Sequence, residues 1–286
     1  MSTDANPIRN VSDTALWVAV YRAMESERSD ALFHDPYARQ LAGERGEAIV
    51  KTMPHGIHMA WAMIIRTAVM DEMIMRCINE GAATVLNLAA GLDTRAYRLN
   101  LPAHIRWFHV DFPPMIEFMQ SQMKQETARC KIEYLAADLR EADQRDAVFQ
   151  KASEHGPVLV ITEGLLVYLQ PEHVANLAVA LKQTAQAKWW ITDLASPLLL
   201  KRVAKSWQKK LQQGNSPFLF TPEQSTAFFN PYGWHEADFR STWNESLRLN
   251  RPMRLAWFWK WMIKLQSKTQ QEAGKRMSGI VQLNAN

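Results

Sequence analysis

The amino-acid sequence predicts an α/β fold, doubly wound around a seven-stranded and mostly parallel sheet. From residue 84 onward, short apolar runs rich in β-branched residues alternate with longer helical patterns. Such alternation implies right-handed crossovers and a parallel sheet covered by helices on both faces. The predicted strands cover residues 84–89, 106–111, 132–137, 157–162, 188–193, 234–239 and 276–283.

Three helical patterns precede the first strand and predict an N-terminal helical cap over residues 1–81. We expect one domain over residues 1–286, in which 84–193 form the cofactor-binding core and 194–286 supply substrate-side helices and the last strands. The helical patterns cover residues 12–28, 35–50 and 58–80 in the cap, and 92–99, 113–127, 141–153, 171–187, 197–213 and 222–230 farther along.

Composition places the chain among ordinary globular proteins. Of its 286 residues, 47% are hydrophobic and 22% are charged, with a net charge of +4. No apolar run reaches the ~18 to 20 residues of a membrane-spanning helix, and residues 1–10 lack the apolar core of a signal peptide. Cys77 and Cys130 form neither a metal-ligand spacing nor a disulfide framework, so we expect no metal and a cytoplasmic location. A basic surplus can indicate an acidic substrate or nucleic acid, but this one is small. Because no basic stripe stands out beyond residues 201–210 and the Trp-rich segment, we expect no nucleic-acid partner.

The junction after the first strand carries the main functional signal. The strand turns at Ala89, Ala90 and Gly91, and Asp93 follows. Because Gly91 has no Cβ, it permits close approach of the backbone to a nucleotide-like cofactor. A dinucleotide site needs a G-x-G-x-x-G loop for its pyrophosphate, whereas this loop has one glycine and an acidic neighbour. The loop therefore favours a cofactor without phosphates, such as S-adenosylmethionine.

Residues 88–99 resemble the cofactor loop of the leucine carboxyl methyltransferase-like family, which includes bacterial O-methyltransferases of the polyketide-biosynthesis-associated type. Ala89 departs from the family, which usually carries glycine there. The resemblance implies a class I, Rossmann-like methyltransferase fold whose last strand lies antiparallel at the sheet edge. Other motifs of the family follow in order along nearly the whole chain: SDTAL at 12–16, DPYA at 35–38, RT at 66–67, DE at 71–72, VDFP at 110–113, ADLR at 137–140 and TEGLLVYL at 162–169.

Acidic residues at the ends of predicted strands are candidates for a cofactor site. Asp111 ends the second strand, where a carboxylate can accept hydrogen bonds from both ribose hydroxyls. The alternative is a helix N-cap, because Pro113 can begin a helix. Asp138 follows the third strand, and the resemblance implies that it holds the adenine amino group while the backbone amide of Leu139 faces a ring nitrogen. A capping role is the alternative for Asp138 as well.

Glu163 follows the fourth strand, and the resemblance assigns it to the cofactor pocket. A carboxylate directly after a buried strand is costly unless a cation lies beside it. Arg66 lies on the apolar helix 58–80, and the resemblance implies that it clamps the carboxylate of the cofactor's methionine moiety. The alternative for Arg66 is a salt bridge to Asp71 or Glu72.

Arg22 is a further candidate for the same cofactor carboxylate, because the resemblance places a basic residue near the start of the chain there. Arg95 and Arg98 are expected to brace Asp93 or neighbouring acids. No histidine stands out as a general base, so the sequence names no catalytic residue.

The segment 255–265 is unusually aromatic, with three of the chain's 11 tryptophans. Lys260, Lys264 and Lys268 recur every four residues and form a basic stripe on an otherwise apolar helix. The segment can be a lid over an apolar acceptor pocket, a packing element against the sheet, or a helix on a membrane surface. Of these we favour the lid and the packing element.

We expect an S-adenosylmethionine-dependent O-methyltransferase that acts on a hydroxyl or carboxyl oxygen of a small, apolar metabolite of secondary metabolism. A carboxylate acceptor is already ionised near neutral pH, whereas a hydroxyl acceptor benefits from a general base. The alternatives are a protein carboxyl methyltransferase and a catalytically silent relative that binds the cofactor or a lipid surface. The sequence leaves the oligomeric state open.

Overall fold

The computed structural model describes residues 13–52, 56–200 and 218–286. Residues 197–200 are helical, but the rest of the predicted helix 197–213 lies outside the described residues.

Seven strands form one sheet, and the predicted doubly wound α/β fold is confirmed. The strand order is β3-β2-β1-β4-β5-β7-β6, and the neighbours from β3 to β5 pair in parallel. Because the order reverses between β1 and β4, the loops after these two strands diverge and leave a crevice at their carboxyl ends. The strands are β1 (Thr84–Leu88), β2 (Arg106–Asp111), β3 (Lys131–Ala136), β4 (Val158–Thr162), β5 (Ala187–Ala195), β6 (Trp234–Ser241) and β7 (Ser278–Ala285).

The helices follow the predicted alternation. Short 3₁₀ helices cover Gly56–Met59, Leu166–Tyr168 and Ser225–Tyr232, the last of which contains Pro231 and replaces the α-helix predicted at 222–230. The α-helices are α1 (Asp13–Ser26), α2 (Ala38–Thr52), α3 (Ala60–Asn79), α4 (Arg95–Arg98), α5 (Pro113–Gln122), α6 (Ala142–Ser153), α7 (Pro171–Gln183), α8 (Thr242–Arg248), α9 (Ala256–Lys264) and α10 (Lys268–Lys275).

The chain divides into two compact units. The first comprises Met1–Val69, Leu194–Ser225 and Arg240–Ile280, and the second comprises Met70–Asp193, Thr226–Phe239 and Val281–Asn286.

Buried ion pairs tie distant segments of the first unit together. The Arg22 guanidinium donates from Nε to Asp35 at 2.8 Å. The Glu25 carboxylate is fully buried, and Arg251 lies 2.9 Å from it across 226 residues of sequence. Because an unpaired charge in these positions would be costly, the two pairs fix the chain around the C-terminal half of α1.

Aromatic side chains fill one side of the second unit's core. The Trp190 ring on β5 meets the rings of Phe229 and Trp234 edge-on, at centroid distances of 5.1 and 5.4 Å. Both indole N–H groups are satisfied, because Trp190 donates to Thr162 Oγ1 at 2.8 Å and Trp234 donates to the Ala178 carbonyl oxygen at 2.9 Å. Large rings therefore bury their apolar area without leaving a polar atom unpaired.

The expected position of the last strand is wrong. We expected residues 276–283 at the sheet edge, but β7 lies between β5 and β6. The burial of the two strands explains the order: five consecutive residues of β7 are buried, whereas the middle of β6 is exposed and carries charged residues. Charges on an edge strand discourage pairing with another chain.

The Trp-rich helix also differs from expectation. Packing against the sheet is wrong for α9, because none of its residues is buried. Within residues 13–52, 56–200 and 218–286, no helix is both long enough and apolar enough to cross a membrane.

Candidate active site

The turn after β1 has an unusual backbone. Ala89 and Gly91 both have positive φ angles, of 49° and 52°. Glycine adopts this region freely, but for alanine the contact between Cβ and the following carbonyl oxygen costs roughly 1–2 kcal/mol. Strain of this kind persists where the surrounding structure enforces it, and it concentrates at functional sites.

Asp111 holds this turn in place. Its Oδ2 accepts the Gly91 backbone N–H at 2.7 Å, and its Oδ1 accepts the Phe112 N–H at 2.7 Å. Burial raises the pKa of this carboxyl group, and the two backbone amides oppose that rise. The N-cap of α5 is Phe112, without a side-chain capping bond. Asp111 therefore fixes the turn after the neighbouring strand and does not cap its own helix.

Arg95 is the cation that the sequence required beside Glu163. The guanidinium is buried, and its Nη1 lies 2.7 Å from Glu163 Oε2 and 2.7 Å from Asp93 Oδ2, while its Nε lies 2.6 Å from Asp71 Oδ1. Burial by itself would lower the pKa of Arg95, but the attraction of the three carboxylates raises it well above the ordinary value. The prediction that Arg95 braces Asp93 and neighbouring acids is confirmed.

Arg98 completes this group of charges. Its two Nη atoms lie 2.6 and 2.9 Å from the two Asp71 oxygens, which is a bidentate pair. Asn87 on β1 donates from Nδ2 to Asp93 at 2.8 Å. Counting Asp111, four carboxylates therefore lie around the ends of β1, β2 and β4, with the Arg95 and Arg98 guanidinium groups among them.

Asp138 lies past the end of β3 and is half-buried. Its carboxylate binds the Arg140 guanidinium, with the shortest contact 2.6 Å long, and this hydrogen bond lowers the pKa of Asp138. The adjacent Leu139 is also half-buried. The N-cap of α6 is Glu141, so Asp138 is not the capping residue.

Arg22 and Arg66 belong to the first unit, whereas the other predicted site residues belong to the second. Arg22 is buried against Asp35, and Arg66 is half-buried on α3. Asp71, named as an alternative partner of Arg66, binds Arg95 and Arg98.

His109 was not singled out by the sequence, yet it lies directly beneath the turn. It is fully buried on β2, and its Nε2 donates to the Gly91 carbonyl oxygen at 3.1 Å. Burial lowers the pKa of His109 to about 4, although the nearby Asp93 charge acts in the opposite direction. The imidazole is therefore neutral at physiological pH. A histidine in the middle of the apolar run at 106–111 is the signal that would have identified it.

Comparison with known proteins agrees with this geometry. The family model described as leucine carboxyl methyltransferase matches residues 15–182. A Streptomyces coelicolor protein with the provisional name S-adenosyl-L-methionine-dependent methyltransferase is 31% identical over 84% of this chain and 88% of its own. The chain belongs to the leucine carboxyl methyltransferase family. A Frankia alni protein of the same provisional name is 30% identical to this methyltransferase over 79% of the chain and 83% of its own.

Solved structures share the fold of this methyltransferase. A DUF574 family protein from Streptomyces avermitilis aligns over 94% of the chain and 97% of its own, with a TM-score of 0.57 at 13% identity. A protein from Thermobifida fusca, provisionally named a methyltransferase, aligns over 98% and 96% with a TM-score of 0.56 at 15% identity. Family and relatives together make the chain an S-adenosylmethionine-dependent methyltransferase.

We predict that Ala89→Gly stabilises the protein. Glycine removes the strain at a φ of 49°. The relief of roughly 1–2 kcal/mol is larger than the roughly 0.4–1 kcal/mol by which the added glycine stabilises the unfolded chain through its conformational entropy. Urea denaturation should show a gain of about 0.5–1 kcal/mol. The control is Ala90→Gly, where the φ angle is ordinary and the free energy of unfolding should fall by about 0.4–1 kcal/mol. Equal changes in both variants would contradict strain at Ala89.

We also predict that His109 makes the stability depend on pH. The unfolded chain takes up a proton near the ordinary pKa of 6.5, whereas the folded protein resists protonation down to about pH 4. The free energy of unfolding should therefore fall as the pH drops from about 6.5 to 4, by on the order of 3 kcal/mol from this residue. In urea denaturation at several pH values, His109→Gln should flatten this slope. His104→Gln, at an exposed position, should leave it unchanged.

Proposed function

We propose that this methyltransferase binds S-adenosylmethionine at the carboxyl ends of β1, β2 and β4 and transfers its methyl group to an oxygen atom of a small, apolar metabolite. The observation that carries the proposal is the group of carboxylates around a turn that Asp111 holds in place. The cofactor supplies a methyl group already activated on a positively charged sulfur. An acidic surface attracts such a cation and repels a pyrophosphate.

The Asp111 carboxylate suits the ribose of this cofactor. An ionised carboxylate offers about four acceptor positions, and the Gly91 and Phe112 amides occupy one on each oxygen. The remaining capacity matches a pair of neighbouring hydroxyl donors. Because Asp111 also fixes the Gly91 turn, the residue that accepts the ribose and the backbone that approaches the cofactor are positioned together.

Other residues extend the proposed site. Glu163, oriented by Arg95, faces the cationic end of the cofactor, while Asp138 and the Leu139 amide receive the adenine. The family pattern also assigns Arg66 and Arg22 to the cofactor's carboxylate, and these two assignments stay predictions. These roles follow the family pattern, and each residue type suits the charge of the group it would receive.

The acceptor oxygen in this proposal belongs to a carboxylate or a hydroxyl. Methyl transfer from a sulfonium needs the two reactants held in line, at about 3 Å and away from water. His109 does not serve as a general base, because it is buried beneath the turn and donates its Nε2 proton to Gly91. A carboxylate acceptor needs no base, whereas a hydroxyl acceptor would need one other than His109. The description of the family, leucine carboxyl methyltransferase, favours a carboxyl acceptor.

Transfer of a labelled methyl group tests the acceptor. The purified protein is incubated with methyl-labelled S-adenosylmethionine and panels of apolar carboxylic acids, apolar phenols and alcohols, and peptides ending in leucine. Mild base releases methanol from a methyl ester but not from a methyl ether. We expect a base-labile product on a small acid or a base-stable product on a small hydroxyl compound. Label on the peptides alone would contradict a metabolite acceptor, and label on nitrogen or carbon would contradict O-methylation.

We predict that Asp111→Asn weakens cofactor binding. The amide keeps the size of the side chain but replaces one accepting oxygen with a donor, so hydrogen bonds worth about 1.5–3 kcal/mol to a charged group are lost. Calorimetric titration should show S-adenosylmethionine bound about 10- to 100-fold more weakly. The matched control is Asp143→Asn at the exposed start of α6, which should bind normally. Unchanged affinity in Asp111→Asn would contradict the proposed ribose site, and binding of NAD in place of S-adenosylmethionine would contradict the cofactor site as a whole.

A further inference from the structure

Helix α9 exposes its apolar side chains to solvent. The exposed fractions are 72% for Trp257, 55% for Trp261 and 66% for Leu265, which follows the helix. A surface helix normally buries its apolar stripe against the protein. A contiguous exposed patch of this kind marks a surface that meets another apolar medium.

The same segment is strongly basic. Residues 251–276 contain seven Lys and Arg residues and one acid. Arg251 pairs with Glu25, and Lys275 pairs with Glu272, the acid of the segment. Lys260 and Lys264 lie one helical turn apart on α9, so two ammonium groups stand on the same face of the helix.

The aromatic and basic side chains share one surface. An open groove of about 350 Å³ runs along α9 and is lined by Trp243, Trp257, Trp261, Ile263, Lys260 and Lys264. Indole rings combine a large apolar body with one N–H donor, and they concentrate where an apolar phase meets water. Lysine side chains lay their alkyl stems along apolar surface while the charge reaches outward.

We propose that α9 and this groove, here called the Trp-Lys surface, bind the surface of an anionic lipid bilayer. The nine residues of α9 extend about 14 Å, too short to cross the membrane, so the helix lies in the plane of the interface. Its tryptophans enter the headgroup region, while Lys260 and Lys264 meet lipid phosphates. The inference does not depend on the proposed acceptor.

Charge and exposure favour this partner over two others. A symmetric contact between two copies would bring Lys260 and Lys264 of each copy toward the same basic patch, which like-charge repulsion opposes. A small anionic ligand in the groove would leave Leu265, which lies on the same helix face but does not line the groove, exposed to water. An anionic bilayer can cover Trp257, Trp261 and Leu265 together and neutralise the lysines at once.

Vesicle flotation of the full-length chain tests the proposal. We expect it to float with vesicles of phosphatidylcholine and phosphatidylglycerol, to stay in solution with phosphatidylcholine alone, and to bind less as salt rises. Each lysine near an anionic surface contributes about fivefold to partitioning, so Lys260→Glu/Lys264→Glu should lower the partition coefficient at least about 30-fold. Trp257→Ala/Trp261→Ala should also lower it, although the charge is unchanged.

The control is Lys124→Glu/Lys131→Glu, which makes the same change of charge at exposed positions in the second unit and should float normally. All three double variants alter exposed residues, so their thermal unfolding should match that of the parent protein. Equal flotation with both vesicle types, flotation with neither, or equal loss in the control would overturn the proposal. A concentration-dependent dimer lost in Trp257→Ala/Trp261→Ala, without vesicle binding, would assign the surface to self-association instead.

Discussion

The buried guanidinium of Arg95 is the interaction on which the candidate site depends. It lies within 2.7 Å of carboxylates from three parts of the chain, namely Asp71 on α3, Asp93 after β1 and Glu163 after β4. Three such carboxylates could not share a buried region without a cation, because their repulsion and desolvation would protonate them or separate the loops. One arginine therefore allows two strand ends and a helix to present acids at the same edge of the sheet.

Asp111 connects the architecture to the chemistry in a different way, because its partners are backbone amides. Its carboxylate accepts the Gly91 and Phe112 N–H groups, which offset the cost of burying the charge. The turn after β1 is therefore held in place by the protein alone. In the proposed function this preorganised turn lies beside carboxylates that attract a positively charged cofactor.

The two units deal differently with apolar surface. In the second unit, Trp190 and Trp234 are fully buried with both N–H groups satisfied, as stability requires. In the first unit, Trp257 and Trp261 remain exposed beside lysines, which forgoes the free energy that burying aromatic rings would contribute. Departures from the usual rules of burial and of backbone conformation are expected at functional sites. The Trp-Lys surface and the strained Ala89 are two such departures, each local to one unit.

The sequence by itself determined the parallel strands, because strands buried on both faces are short, continuous apolar runs with turn residues at their ends. It also determined which residues follow the strands, and hence the candidates Gly91, Asp111, Asp138 and Glu163. Only the tertiary structure decided which cation meets Glu163, since Arg95 lies 68 residues earlier in the chain. It also placed β7 inside the sheet and left α9 uncovered. Periodicity identifies an apolar face, but what that face contacts depends on segments far away in the sequence.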